Sequence, residues 1–154
     1  MPPPEIAIAK QKYARSRRCL FFLLSLAIFF SSSSSFAADV IVHPSVSEKE
    51  LARYVVRAVF GMRVLKWPNG VPIRVFVLDD ATPLHIEFAK EVLDVYPYQL
   101  RQAWDRLIYS GTGQAPTQVS SEAEMVTRVA TTPGAIGYVK NGKASEDVRI
   151  LLVR

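Results

Sequence analysis

Asp79-Asp80-Ala81-Thr82-Pro83-Leu84-His85 brings two carboxylates, a hydroxyl and an imidazole into one short stretch. Adjacent carboxylates point apart, so Asp79 and Asp80 make a poor acid–base dyad. Thr82 and Pro83 read instead as a helix start, with Thr82 at the N-cap and Pro83 at the first helical position. The free N–H groups and positive end of that helix would attract a small anion at Thr82, with His85 one turn inside. Asp79 and Asp80 bring negative charge to the same place. In the plainer alternative, Thr82 only caps the helix and His85 is an exposed helix residue.

Other chemistries lack the residues they need. Gly137-Tyr-Val-Lys-Asn-Gly142-Lys143 begins like a phosphate-binding P-loop, but Ala144 stands where a Ser or Thr is required. Asn141-Gly142 also favours a hairpin where that motif needs a helix start. Ser110-Gly111-Thr112-Gly113 has no glycine two residues before the serine, so it is not a nucleophile elbow. His43 and His85 have neither the cysteines nor the helical pairing of a zinc site. No cofactor, metal site or enzymatic constellation is expected.

The elements that position these residues read as follows. Val40-Ile41-Val42 is wholly apolar, as in a strand buried on both faces. Ser47-Glu48-Lys49-Glu50 reads as a capping box opening a helix whose inner stripe is Leu51, Tyr54, Val55, Ala58 and Val59, with Arg53 and Arg57 outside. Phe60-Gly61 stops it. Trp67-Pro68-Asn69-Gly70 is a turn, and Val71 to Leu78 is a strand more buried than exposed. Leu84, Phe88, Val92 and Val95 form the stripe of the Pro83 helix. Pro97 breaks that helix, and a second one carries Leu100, Trp104, Leu107 and Ile108. After the loop Ser110 to Pro116, Ser121-Glu122-Ala123-Glu124 is another capping box. Its helix ends at Thr132-Pro133-Gly134-Ala135-Ile136-Gly137-Tyr138-Val139, read as a helix stop, a tight turn and a strand whose backbone approaches something closely. Asn141-Gly142 then predicts a hairpin to a last strand, Val148 to Val153. The order β-α-β-α-α-α-β-β describes an α/β fold with a mixed sheet covered by helices. Trp67, Trp104 and Tyr138 read as packing residues and not as a ligand cage.

The chain has 154 residues and a net charge of +5. Arg15-Ser16-Arg17-Arg18, the apolar run Cys19 to Phe30, five serines and Phe36-Ala37-Ala38 have the order of a secretory signal peptide, with cleavage expected after Ala37. An apolar run of about a dozen residues is short for a span of about 20, so membrane contact is expected only through this segment if it stays uncleaved. Residues 1–37 hold five cations against Glu5, so most of the positive charge leaves with them. No nucleic-acid partner is implied by the remainder. Cys19 is the single cysteine, so residues 38–154 would rely on their core without disulfides. That length suits a two-layer α/β unit and is about half of what a two-lobed clamp needs.

The order of Phe60-Gly61-Met62, Trp67-Pro68-Asn69-Gly70, Phe88, Trp104, Ser110-Gly111 and Pro133-Gly134-Ala135-Ile136-Gly137-Tyr138 resembles the second lobe of the phosphate-type, type II substrate-binding proteins of ABC importers. The resemblance covers Ala38 to Arg154. It implies a non-enzymatic periplasmic protein of a single lobe, a small oxyanion such as phosphate as ligand, and a transporter or other envelope protein as partner. Counting back from Phe88, the family's phosphate loop falls on Leu78, Asp80, Thr82, Pro83 and Leu84. Asp80 and Thr82 match it. Leu78 stands where the family has an arginine, and Pro83 has no N–H to give. The resemblance therefore implies weak binding, at Asp80, Thr82 and His85 with the Ser110-Gly111 loop. The alternative is an envelope interaction module that kept the fold without a ligand.

Overall fold

The computed structural model describes residues 38–111 and 113–154; the expected signal segment lies outside them. Strands β1 (Ala38–Val42), β2 (Glu50–Leu51), β3 (Arg74–Val77), β4 (Thr117–Gln118), β5 (Ala135–Lys140) and β6 (Arg149–Val153) form one mixed sheet in the order β2-β6-β1-β5-β3-β4. Helices α1 (Arg53–Phe60), α2 (Pro83–Glu87, continued by a π-helical turn over Phe88–Val92), α3 (Pro97–Tyr109) and α4 (Glu122–Thr131) cover it. The α/β class with a mixed, helix-covered sheet is as expected. No helix among the described residues is long and apolar enough to cross a membrane.

β1, with its wholly apolar Val40-Ile41-Val42, occupies the middle of the sheet, antiparallel to both β5 and β6. This overturns the expected β5–β6 hairpin. Asn141-Gly142 does turn the chain, with Lys143 N donating to Lys140 O at 3.0 Å and Gly142 at φ +77°. Gly142 N also donates to Asp39 Oδ2 at 3.0 Å, which ties the turn to the start of β1. The chain then crosses to the far side of β1, because a strand as apolar as Val40-Ile41-Val42 is stable only when both faces and both edges are covered.

The Ser47–Glu50 capping box is a second correction. Ser47 Oγ donates to the neighbouring Glu48 carboxylate, and the chain pairs with β6 through Leu152 N to Lys49 O and Arg154 N to Leu51 O, both 3.0 Å. The Arg149 guanidinium also reaches back to the carbonyls of Val46 and Glu48. Sheet pairing thus outcompetes the local cap, and α1 begins only at Arg53. Its buried residues are Val56, Val59 and Phe60, while Tyr54 is 73% exposed. Gly61 follows α1 with φ −76°, and Met62 takes the left-handed position at φ +57°.

Two layers flank the sheet. Val40, Tyr138 and Leu151 lie side by side across the three central strands. Tyr138 stacks on Phe88 with ring centroids 3.9 Å apart, and Phe60 meets Phe88 edge-on at 4.8 Å. Successive strand residues alternate faces, so Gly137 looks the other way. A Cβ there would sit 2.5 Å from Met125 Sδ and 3.0 Å from Val129 Cγ2, so glycine lets α4 lie directly on β5. Gly134 has φ +75°, and a Cβ on it would meet Pro72 O at 2.5 Å. The close backbone approach read from the octet is found at both glycines. Trp67 locks the Gly134 turn through Nε1–H to Gly134 O at 2.9 Å. Trp104 donates to Phe60 O at 2.8 Å, pinning α3 to the end of α1. Ser121 caps α4 as expected, accepting from Glu124 N at 3.2 Å, and Glu124 turns back to Ser120 N at 2.8 Å.

Candidate functional site

The loop leaving β3 is shaped by Asp79. Its carboxylate accepts from Ala81 N and Gln118 Nε2, each at 2.9 Å, and Thr82 N donates to its carbonyl. The Ala81 amide, then Gln118, hold the Asp79 carboxyl below its usual range. Thr82 stands at the N-cap of α2, as expected, but its hydroxyl makes no cap bond. Pro83 is the first helical residue, and Ile86 N makes the first bond back to Thr82 O at 3.1 Å. The amides of Leu84 and His85 precede that bond, at the open end of the helix.

His85 corrects the expectation of an exposed helix residue, since it is fully buried. A π turn follows it and rotates Phe88, Ala89 and Leu93 inward, with Leu93 N bonding to Phe88 O at 3.1 Å. The wider turn keeps both Phe88 and Leu93 in the core, and His85 enters beside them. Its Nδ1 lies 2.6 Å from the Tyr138 hydroxyl, which also accepts from Leu78 N at 2.9 Å. With Tyr138 accepting from Leu78, its one proton is satisfied by donation to Nδ1, which assigns the imidazole proton to Nε2, on the side of Asp80. Nε2 has no hydrogen-bond partner among the described residues and faces Asp80 Oδ1 at 3.7 Å. Burial lowers the His85 pKa, with Asp80 opposing the shift. Burial also raises the Tyr138 pKa.

Asp80 accepts both arms of Arg101, Nε at 2.7 Å and Nη2 at 2.9 Å. Arg101 comes from α3 and lies over the Trp104 ring at 5.1 Å. The hydrogen bonding to Asp80 pushes the Arg101 pKa above its usual value and so holds it in the charged form. Sequence reasoning missed this residue, because it lies on another element and nothing local marks it. Asp80, Thr82 and His85 therefore share one locality with Arg101. Ser110 and Gly111 lie at the other end of α3, with Ser110 nine positions beyond Arg101, about 13 Å along a helix. Ser110 Oγ donates to Leu107 O at 3.1 Å, and Gly111 has φ +67°. Among the described residues, no three His, Cys, Asp or Glu side chains are gathered so as to hold a metal ion.

In fold, the domain is similar to one α/β lobe of solved binding proteins of phosphate ABC transporters. The chain is similar to an ABC-type phosphate transport receptor from Vibrio cholerae, with TM-score 0.60 and 13% identity over 77% of this chain and 46% of that one. It is similar also to PstS from Borrelia burgdorferi, with TM-score 0.58 and 18% identity over 77% of this chain and 49% of that one. The chain thus spans less than half the length of these proteins. No family model matches the sequence, and no curated protein matches it.

Proposed function

We propose that the domain is a non-enzymatic, exported binding lobe that holds a small oxyanion such as phosphate weakly beside Asp80, Thr82 and His85. The observation that supports this best is the two-armed grip of Arg101 on the Asp80 carboxylate. Asp80 takes the Nε–Nη2 edge of this guanidinium and fixes its plane, which leaves the outer Nη edge as the planar fork for phosphate oxygens. Arg101 thus supplies the cation that Leu78 cannot. Thr82 adds an uncommitted hydroxyl, and the amides of Leu84 and His85 add donors at the helix start. Asp80 competes for the same guanidinium, which accounts for weak binding. The Ser110-Gly111 loop is proposed as an outer wall and not as a direct donor.

Calorimetry with phosphate and sulfate tests this. Binding should be saturable, and Arg101→Gln or Thr82→Val should weaken it about tenfold, the loss of one good hydrogen bond to a charged group. Asp80→Asn should tighten it, because the internal competitor loses its charge. Heat unchanged in Arg101→Gln would count against the site. Export to the periplasm rests on the Arg15-to-Ala37 pattern, and N-terminal sequencing of the purified protein should start at Ala38.

A second reading, an envelope interaction module without a ligand, is favoured by Asp80 already filling Arg101. Absence of heat with every oxyanion, in wild type and in Asp80→Asn alike, would select it.

A further inference from the structure

A groove on the side of the sheet covered by α1 and α3 lies apart from the Asp80 locality. Two adjoining cavities, of about 460 and 350 Å³, share Val95 and Gln99 and run between α1, the π turn and α3. The larger is within the usual range for a recognition pocket, about 300 to 1,000 Å³. Its floor is apolar, with Ala58, Leu100 and Ala103, and its rim is not. Tyr54, Tyr96 and Tyr98 stand 73%, 55% and 60% exposed along it, and the last two stack on one another at 5.8 Å. Tyrosines held outward on rigid elements give large contact area at little entropic cost, which is why they concentrate at recognition surfaces.

The lining carries Arg57, Arg63 and Lys90 against a single carboxylate, Asp94. Asp94 is committed to Arg57 at 3.2 Å. Arg57 still leaves its buried Nε without a partner. Arg63 enters no ion pair among the described residues. Lys90 stands over the Tyr96 ring at 5.7 Å. The two non-glycine residues with left-handed backbone, Met62 at φ +57° and Asp94 at φ +53°, flank this groove, one after each wall element. Such conformations persist only where the surroundings impose them, and they gather at recognition sites.

We propose that this groove binds an acidic polypeptide segment that carries aromatic or aliphatic anchors. Charge complementarity sets the sign, since the groove holds a surplus of cations that its own carboxylate does not neutralise. The apolar floor below the tyrosines takes the anchor, and Arg63, with the solvent-exposed part of Arg57, takes the carboxylates. The groove does not use Arg101 or Thr82, so this inference is independent of the oxyanion reading.

The test is fluorescence anisotropy of the purified chain with a labelled octapeptide of alternating acidic and apolar residues. The control peptide has serine at each apolar position. Expected results are saturable binding that weakens with salt, at least about tenfold weaker binding of the serine peptide, and a similar loss in Arg63→Glu and in Tyr54→Ala. These side chains are exposed, so circular dichroism should show both variants folded. Arg128→Glu, on α4 at the opposite face of the sheet, makes the same charge change away from the groove and should bind like wild type. Equal affinity for the two peptides, equal loss in Arg128→Glu and Arg63→Glu, or tighter binding of a labelled thymidine octanucleotide would overturn the proposal. Arg101→Gln should leave peptide binding intact even where it abolishes phosphate binding.

Discussion

One phenol joins three parts of the chain. Tyr138 Oη takes the Leu78 amide from the end of β3 and gives its proton to His85 on α2, while its ring stacks on Phe88. Tyr138→Phe keeps the ring but orphans a buried N–H and a buried imidazole nitrogen, each costing about 1–3 kcal/mol. A loss of about 2–6 kcal/mol in urea unfolding is expected, with little change in the slope. His85 supplies a pH dependence with a definite sign. Its folded pKa lies below the ordinary imidazole value of about 6.5, with burial the main cause and Asp80, Arg101 and Asp79 modulating it. The unfolded chain therefore takes up the proton first, so stability is complete above about pH 6.5 and declines as pH falls through and below that value. Thermal melts should show this decline in wild type, and His85→Gln should flatten it between pH 7 and the onset of carboxylate titration. An unchanged slope in the variant would assign the effect to other groups. At this scale, the sequence exposed residue types but not their surroundings. Asp80 and Thr82 stood out by local chemistry, whereas Arg101 pairs across 21 positions and His85 is drawn inward by a π turn that helical periodicity does not foresee.

Glycines decide how the elements meet. Gly134 needs a left-handed backbone and abuts the Pro72 carbonyl, so Gly134→Ala meets both steric strain and an immovable backbone atom. Gly137→Ala presses on Met125 Sδ, which is flexible, and on Val129, which is not. Overpacking of that kind costs about 1–3 kcal/mol. Gly134→Ala should cost more, since strain of about 1–2 kcal/mol adds to its clash. Chemical denaturation of the two variants side by side would check the order, and a more stable Gly134→Ala would refute the turn geometry. The octet from Thr132 to Val139 was legible because glycine, proline and β-prone residues act locally. The capping box at Ser47 and the hairpin at Asn141-Gly142 misled for the opposite reason. Both are sound local signals: the hairpin loses to the demand of β1 for a partner on each edge, and the cap loses to the pairing of β2 with β6. The two-residue strands β2 and β4 left no periodicity to read.

For the molecule as a whole, the fold is that of a lobe from proteins whose known examples include phosphate receptors, and the order of weak motifs along residues 38–154 carried that information. Which ligand such a lobe holds depends on a handful of side chains, and here a carboxylate of the chain itself occupies the guanidinium that the proposed oxyanion would need. The most direct measurement is a phosphate titration followed by ¹H–¹⁵N correlation spectra that include the arginine Nε–H signals. The account predicts saturable shifts of the Arg101 Nε–H and of the Thr82, Leu84 and His85 amides, enlarged in Asp80→Asn. Shifts confined to other regions, or an Arg101 signal that does not move at any phosphate concentration, would contradict it.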